Sequence, residues 1–164
     1  MLILNSDMTV LIFSDSHGSI SEMLDVTSRV RADLIIHLGD FSRDAQLVAS
    51  QTARPLISVS GNCDRDLDPC YRVITDIGGV MTYITHGNAF YADPALIAAE
   101  AKKCGCTLAL FGHSHVPCDK SFDGVRVINP GSISRPRYPA RYKSYAAGTF
   151  SNGKADIGIV ELED

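Results

Sequence analysis

The feature that most constrains this chain is a series of four short apolar runs, each of which ends in polar residues. The runs are 9-TVLIFSD-15, 34-LIIHLGD-40, 56-LISVSGN-62 and 107-TLALFGH-113. Because they are continuous rather than alternating, they predict strands that are buried on both faces. Such strands need covering layers on both sides, which predicts an α/β layered structure.

Three helices are predicted around these runs, over residues 19–30, 43–51 and 94–103. In the first helix, Ser19 and Glu22 have the spacing of a capping box. In the third, Asp93 is placed as the N-cap, Pro94 lies in the first turn and Gly105 follows the end.

Two β-hairpins are also predicted, over residues 71–86 around Gly78-Gly79 and over residues 144–162 around the turn 151–153. Together these elements predict a single domain, residues 1–164, with mixed β-sheets. Residues 1–7 are interpreted as an N-terminal extension, because Met8 directly precedes the first strand.

Composition narrows the function classes. The net charge of −4 and the pI near 5.7 do not indicate a basic surface that would bind a phosphate backbone, so nucleic acid is not indicated as a partner. The first residues lack the pattern of a secretory signal, and no segment predicts a membrane span. Five cysteines without a CxxC pair indicate reduced thiols and a cytoplasmic location.

Side chains that can bind cations occur where five predicted strands end. They are Asp15, His17, Asp40, Asn62, His86, His113 and His115. Because the carboxyl ends of strands in open α/β sheets border one crevice, we expect these side chains to meet. A single such residue is typical of turn chemistry, but all five strand ends together favour a binding site. His37 is the exception, and we interpret it as a core histidine bonded to backbone.

The donor types indicate the kind of cation. Imidazole, carboxylate and one amide oxygen suit Mn, Fe, Zn, Ni or Co, with manganese expected first, rather than calcium. Seven donors are too many for one ion, so two divalent ions that share a carboxylate are predicted. His113 and His115 lie two apart, and an extended segment would point both to one face, one for each ion. With a bridging hydroxide, such a site would carry about one positive charge and attract phosphate esters.

The ordered set Asp15-x-His17, Gly39-Asp40, Gly61-Asn62-Cys63-Asp64, His86-Gly87 and Gly112-His113-Ser114-His115 resembles the calcineurin-like metallophosphoesterases. It is most similar to small single-domain bacterial and archaeal phosphodiesterases that share their fold with a retromer subunit, and 129-NPGSISRPR-137 extends the likeness. The resemblance implies a four-layer αββα sandwich with two mixed β-sheets. It implies a first metal held by Asp15, His17, Asp40 and His115, and a second held by the bridging Asp40 with Asn62, His86 and His113.

The implied activity is hydrolysis of a small phosphodiester by a hydroxide that bridges the metals, with Asp40, Asn62 and His86 in the catalytic centre. Most of the superfamily has a histidine at the position of Cys63, and a second histidine often follows where this chain has Asn88. The histidine missing at 63 is the usual candidate for protonating the leaving group or for binding phosphate. Since a thiol is a poorer acid near neutral pH than an imidazolium, we expect a preference for good leaving groups.

Further residues are assigned with alternatives. Cys63 and Asn88 are candidate substrate contacts, while Arg135 and Arg137 are interpreted either as a phosphate clamp or as part of a solvated loop. Asp64 is expected to orient a neighbour, and Asp44 and residues 64–68 to belong to solvated loops.

Other functions of the same fold stay open alongside the phosphodiesterase. They are an inactive scaffold, a phosphomonoesterase and a nucleotide pyrophosphatase. A homo-oligomer, either a dimer or a tetramer, is also expected.

Overall fold

The structure is a computed structural model that describes residues 7–163. In that range the elements are β1 (Met8–Phe13), α1 (Ile20–Arg29), β2 (Leu34–His37), α2 (Ser42–Thr52), β3 (Leu56–Ser58), β4 (Arg72–Ile77), β5 (Val80–Thr85), a 3₁₀ turn (Asn88–Phe90), α3 (Pro94–Lys103), β6 (Leu108–Leu110), β7 (Cys118–Phe122), β8 (Val125–Asn129), β9 (Ser144–Ser151) and β10 (Lys154–Glu161). Of the expected N-terminal extension, only Asp7 lies in the described range.

The strands form two five-stranded sheets. Sheet A has the order β10-β9-β1-β2-β3, in which β1, β2 and β3 are parallel. Sheet B has the order β4-β5-β6-β8-β7, in which β5, β6 and β8 are parallel. The other strands pair in the antiparallel direction, so both sheets are mixed. Both predicted hairpins are present, as β4–β5 and β9–β10.

Three apolar clusters lie between four layers. Val10 and Ile12 of β1 belong to the cluster between the two sheets, together with Ile84 and Leu110 of sheet B. The alternate residues of β1, Leu11 and Phe13, pack with α1 and α2 outside sheet A. A third cluster lies between sheet B and α3, which contributes Ile97, Ala98 and Ala101. Burial on both faces explains the continuous apolar runs, and the four-layer αββα prediction is confirmed.

All three predicted helices are present within one residue of their expected bounds. Asp93 caps α3 as expected, because its carboxylate accepts from the backbone N–H groups of Ala95 and Leu96. The capping box of α1 is wrong: the Ser19 side chain makes no cap hydrogen bond, and Glu22 instead pairs with Lys143. The hairpin β7–β8 was not predicted at all. Within the described residues, no helix combines the length and apolar character needed to cross a membrane.

Candidate metal centre

The strands that lead to the site end two to four residues earlier than predicted, at Phe13, His37, Ser58 and Leu110. The polar residues beyond them therefore lie in loops. Five of the seven predicted ligands have a positive φ of 45° to 66°: Asp15, His17, Asp40, His113 and His115. This backbone region costs a residue with a Cβ atom about 1–2 kcal/mol, and such strain clusters at functional sites. The expectation that His113 and His115 share one face of an extended segment is therefore wrong.

The first group of converging side chains comprises Asp15, His17, Asp40 and His115. One donor atom from each lies within 4.8 Å of the donors of the others. His115 Nε2 is 3.2 Å from Asp15 Oδ1 and 3.4 Å from His17 Nε2. His17 Nε2 is in turn 3.6 Å from Asp40 Oδ2. Four donors from three separate loops thus surround one point.

The second group comprises Asp40, Asn62, His86 and His113. His86 Nε2 lies 3.3 Å from Asp40 Oδ1, 3.1 Å from Asn62 Oδ1 and 3.3 Å from His113 Nδ1. Asp40 therefore turns one carboxylate oxygen to each group. The structure brings all seven predicted side chains together, with His113 in one group and His115 in the other.

Backbone carbonyl groups orient two of the imidazoles. His86 Nδ1 lies 2.7 Å from the carbonyl oxygen of Leu38, and His115 Nδ1 lies 2.6 Å from that of Arg135. A carbonyl can only accept a hydrogen bond, so Nδ1 of each ring carries the proton. The lone pair of each Nε2 therefore faces the centre, which is the arrangement found in metal-binding histidines.

Two further carboxylates hold the loops without facing the centre. Asp64 accepts hydrogen bonds from the backbone N–H groups of Asp40 (2.9 Å), Gly61 (2.7 Å) and Ser42 (2.8 Å). Its geometry agrees with the expectation that it orients a neighbour. The interpretation of Asp44 as solvated is wrong. Asp44 is buried and accepts from the backbone of Gly18 and from the hydroxyl of Ser16, both in the loop that carries His17.

The segment after β8 also supports the site. Ser132 and Ser134 both donate to the backbone carbonyl of Asp15, at 2.8 and 3.1 Å. Buried Asn129 donates to the carbonyl of Gly112, at the start of the histidine loop. The motif 129-NPGS-132 was the available signal, but Asn129 and Ser132 reach partners 17 and 117 residues away.

His37 lies outside both groups. It is fully buried, 3.0 Å from the Ser16 hydroxyl, and its Nδ1 accepts from the backbone N–H of Gly39. Burial lowers its pKa to about 4, so it is neutral at pH 7.

The surroundings of Asp15, His17 and His113 favour the protonation states in which these side chains bind metal ions. Burial lowers the pKa of His113, and His86 lowers it further. Burial also lowers the pKa of His17, although Asp40 acts in the opposite direction. Burial alone would raise the pKa of Asp15, but His115, His86 and Ser14 together hold it below its usual value. Burial opposes the protonation of His115, yet its pairing with Asp15 raises its pKa. At neutral pH Asp15 is thus ionised, and His17 and His113 are neutral, which are the forms that bind a metal ion.

Divalent cations fit these residues. Asp15 Oδ1 is buried and accepts no well-formed hydrogen bond from the described residues. Facing imidazole nitrogens only 3.3–3.4 Å apart occur twice, and lone pairs so placed repel unless a proton or a cation lies between them. A buried carboxylate oxygen without a well-formed hydrogen bond and facing imidazoles are a donor set that suits transition metals. The seven side chains could therefore hold the divalent cations that the sequence predicts.

The candidate substrate contacts lie around the rim. Cys63 is exposed; its backbone N–H donates to Asp40 Oδ1, and burial raises the pKa of its thiol, as does Asp40. Arg135 and Arg137 are exposed. Burial is the main cause of the lowered pKa values of His17 and His113; Arg135 lowers that of His17 further, and Arg137 lowers that of His113 further. Both guanidinium groups therefore lie within electrostatic range of the centre. Asn88 is exposed in the 3₁₀ turn, and no contact joins it to the seven ligands.

Comparison with known proteins agrees with this architecture. Residues 8–153 match the family model of the calcineurin-like phosphoesterase superfamily domain. A Bacillus subtilis protein named "probable metallophosphoesterase YsnB" is 35% identical over 96% of both chains. The phosphodiesterase YfcE of Escherichia coli is 25% identical over 82% of this chain and 85% of its own.

Similarity of fold extends to Vps29 of Entamoeba histolytica, whose structure was solved as a single mutant. It has a TM-score of 0.75 at 19% identity, over 95% of this chain and 100% of that one. At this identity the likeness shows the fold alone. The family match, by contrast, covers every loop that contributes to the two donor groups. This chain belongs to the calcineurin-like phosphoesterase superfamily.

Proposed function

We propose that this protein is a metal-dependent phosphodiesterase that hydrolyses small phosphodiesters with good leaving groups. The observation that carries the proposal is the pair of donor groups joined through Asp40, whose two oxygens face His17 and His86. Two divalent cations held there would polarise phosphoryl oxygens and lower the pKa of a water molecule. Because cations supply these effects, the chain itself needs no serine or cysteine nucleophile.

The chain's own residues have separate tasks in this proposal. Asp15, His17 and His115 hold one side of the centre, and Asn62, His86 and His113 hold the other. Arg135 and Arg137 provide exposed cations beside it, and guanidinium groups match phosphoryl oxygens with paired donors. The name of the Escherichia coli relative supports the choice of a phosphodiester.

Position 63 supports the preference for good leaving groups. The Cys63 side chain stands beside the bridging carboxylate, where it offers a thiol rather than an imidazolium. General acid catalysis contributes roughly 10²–10⁴ to a rate, and a reaction with a poor leaving group depends on it most. A chain with a thiol here therefore favours esters whose alcohols leave as stable anions.

The proposed activity is tested with bis(4-nitrophenyl) phosphate and added manganese. We expect turnover by the native protein, none after chelation and a loss of roughly 10³-fold or more in Asp40→Ala. Asp68→Ala is the matched control, because Asp68 is exposed in a loop near the site and should leave the rate unchanged. No turnover with any divalent metal would contradict the proposal and favour the scaffold. Faster hydrolysis of 4-nitrophenyl phosphate would favour the phosphomonoesterase.

The leaving-group preference is tested by Cys63→His. We expect it to raise the rate on a phenyl or alkyl phosphodiester by about tenfold or more, with little change on the 4-nitrophenyl ester. Cys63→Ser controls for the change of side chain. Equal effects of Cys63→His on good and poor leaving groups would contradict the role given to position 63.

The proposed setting is the cytoplasm. The five cysteines are all unpaired, which suits a reducing compartment.

A further inference from the structure

A buried chain of three polar side chains connects two of the loops that carry ligands. Its members are Ser16, His37 and Asp44. Ser16 and His37 are fully buried, and Asp44 is only 7% exposed. Because buried polar groups destabilise a fold unless they are hydrogen-bonded, each of the three must have partners, and those partners show what the chain holds together.

The directions of the hydrogen bonds follow from the contacts of His37. Its Nδ1 accepts from the backbone N–H of Gly39 at 3.3 Å, so the proton of the neutral ring is on Nε2. Nε2 therefore donates to the Ser16 hydroxyl at 3.0 Å. The Ser16 hydroxyl in turn donates to Asp44 Oδ2 at 2.8 Å, while the carbonyl oxygen of Phe41, at 3.4 Å, is a more distant acceptor. Each donor in the chain thus has an acceptor, and the last acceptor is a carboxylate.

One end of the chain holds the loop that carries Asp15 and His17. Ser16 lies between these two ligands in the sequence. Asp44 Oδ2 accepts from the Ser16 hydroxyl and also from the backbone N–H of Gly18, at 2.7 Å. The loop needs this support because Asp15 and His17 have φ values of 53° and 45°, in the strained left-handed region.

The other end of the chain holds the loop that carries Asp40. His37 is the last residue of β2, and its bond to Gly39 fixes the residue directly before Asp40. Asp40 Oδ2 is 3.6 Å from His17 Nε2, so the relative position of the two loops sets the distance between two ligands of the first group. The bond between His37 and Ser16 joins these loops.

We infer that Ser16, His37 and Asp44 are positioning residues, which hold the first donor group in the geometry that binds a cation. The inference rests on the metal centre of the proposed phosphodiesterase and concerns one half of it. The hydrogen bonds of the chain end at the loops of the first group, and none of them reaches Asn62 or His113 of the second. Loss of the chain should therefore weaken one cation site and spare the other.

Calorimetric titration with manganese tests this selectivity in two background variants. Asn62→Ala keeps all four donors of the first group, and His17→Ala keeps all four of the second. We expect Ser16→Ala to weaken binding about tenfold or more in the Asn62→Ala protein, which is the usual effect of losing a supporting contact of a ligand. In the His17→Ala protein the same change should alter the affinity by no more than about twofold. Ser50→Ala, at an exposed position of α2, is the matched control and should change neither affinity.

Two further comparisons distinguish positioning from a general loss of stability. Because the bonds from Ser16 and Gly18 both end on one oxygen of Asp44, the amide oxygen of Asp44→Asn can accept both. We expect Asp44→Ala to bind manganese about tenfold more weakly or worse, and Asp44→Asn to restore most of that loss. His37→Gln combined with Ser16→Ala should lose less affinity than the product of the two single losses, since both residues belong to one chain.

A readout on the metal-free protein requires neither a cation nor turnover. The imidazole nitrogen shifts of His37 in nuclear magnetic resonance spectra should identify Nε2 as the protonated nitrogen and Nδ1 as the acceptor. A proton on Nδ1, equal losses of affinity in the two backgrounds, no recovery in Asp44→Asn, or single losses that multiply in the double variant would overturn the inference. If manganese binds as expected but no phosphodiester is hydrolysed, the proposed activity fails and the positioning role survives.

Discussion

Asp64 offers a sharp test of how the loops position the carboxylate of Asp40. It accepts three backbone N–H groups, from Asp40, Ser42 and Gly61, at 2.7 to 2.9 Å. Two of these groups, those of Asp40 and Ser42, belong to the strained turn at Asp40, whose φ is 58°. Replacement of Asp64 removes the acceptor that holds this turn, although the side chain itself does not face the centre.

The expected magnitude follows from these three bonds. A hydrogen bond to a charged group contributes about 1.5–3 kcal/mol, but water can reach a half-buried site and replace part of each bond. At about 1 kcal/mol per bond, Asp64→Ala should lower the free energy of unfolding by about 3 kcal/mol. Because a supporting contact of a ligand is typically worth roughly 10–100-fold in metal affinity, we expect manganese to bind about tenfold more weakly or worse.

The assay has two parts. Chemical denaturation of the metal-free protein gives the stability, and calorimetric titration with manganese gives the affinity. Asp68→Ala, in the same loop, should change neither quantity. An Asp64→Ala protein that is destabilised but binds manganese normally would refute the positioning argument. An unchanged stability would contradict the contribution assigned to the three hydrogen bonds.

Two other perturbations have matched controls. The pKa of buried His37 is lowered to about 4 from 6.5, so its stabilising contribution is complete above pH 6.5 and is lost as the pH falls towards 4. Between pH 6.5 and 4 we expect the free energy of unfolding of the metal-free native protein to fall by about 3 kcal/mol, and that of His37→Gln to fall correspondingly less. Parallel pH curves for the two proteins would contradict this. Gly112→Ala would place a Cβ atom 2.9 Å from Asp15 Oδ2, so we expect it to cost about 1–3 kcal/mol and to weaken manganese binding. Gly158→Ala, whose Cβ atom would meet nothing within 4 Å, should be nearly neutral. Equal losses of stability in the two variants would contradict the close packing of Gly112 against Asp15.

Much of the architecture could be predicted because the apolar patterns are local. The buried strands, the three helices and two hairpins each have a period or a turn signal within their own residues. The hairpin β7–β8 was missed although it contains an Asp123-Gly124 turn. Its first strand is a sheet edge with only its end residues half-buried, so it lacks the alternation that identifies a strand.

The convergence of the seven donors could also be predicted, because strand ends meet at one edge of each sheet. Their backbone conformation could not be predicted from an extended-strand pattern, since the loops are set by distant partners. Asp44, for example, was interpreted as solvated because its partners Ser16 and Gly18 lie 28 and 26 residues away. Glu22 similarly pairs with Lys143, which is 121 residues distant, instead of closing a capping box.

The proposed activity requires two cations that share Asp40. Anomalous diffraction at the manganese absorption edge, from a crystal grown with that ion, tests it most directly. We expect two peaks about 3.5–4 Å apart, one beside Asp15 and His115 and the other beside Asn62 and His86. A single peak, or peaks that do not contact Asp40, would contradict it.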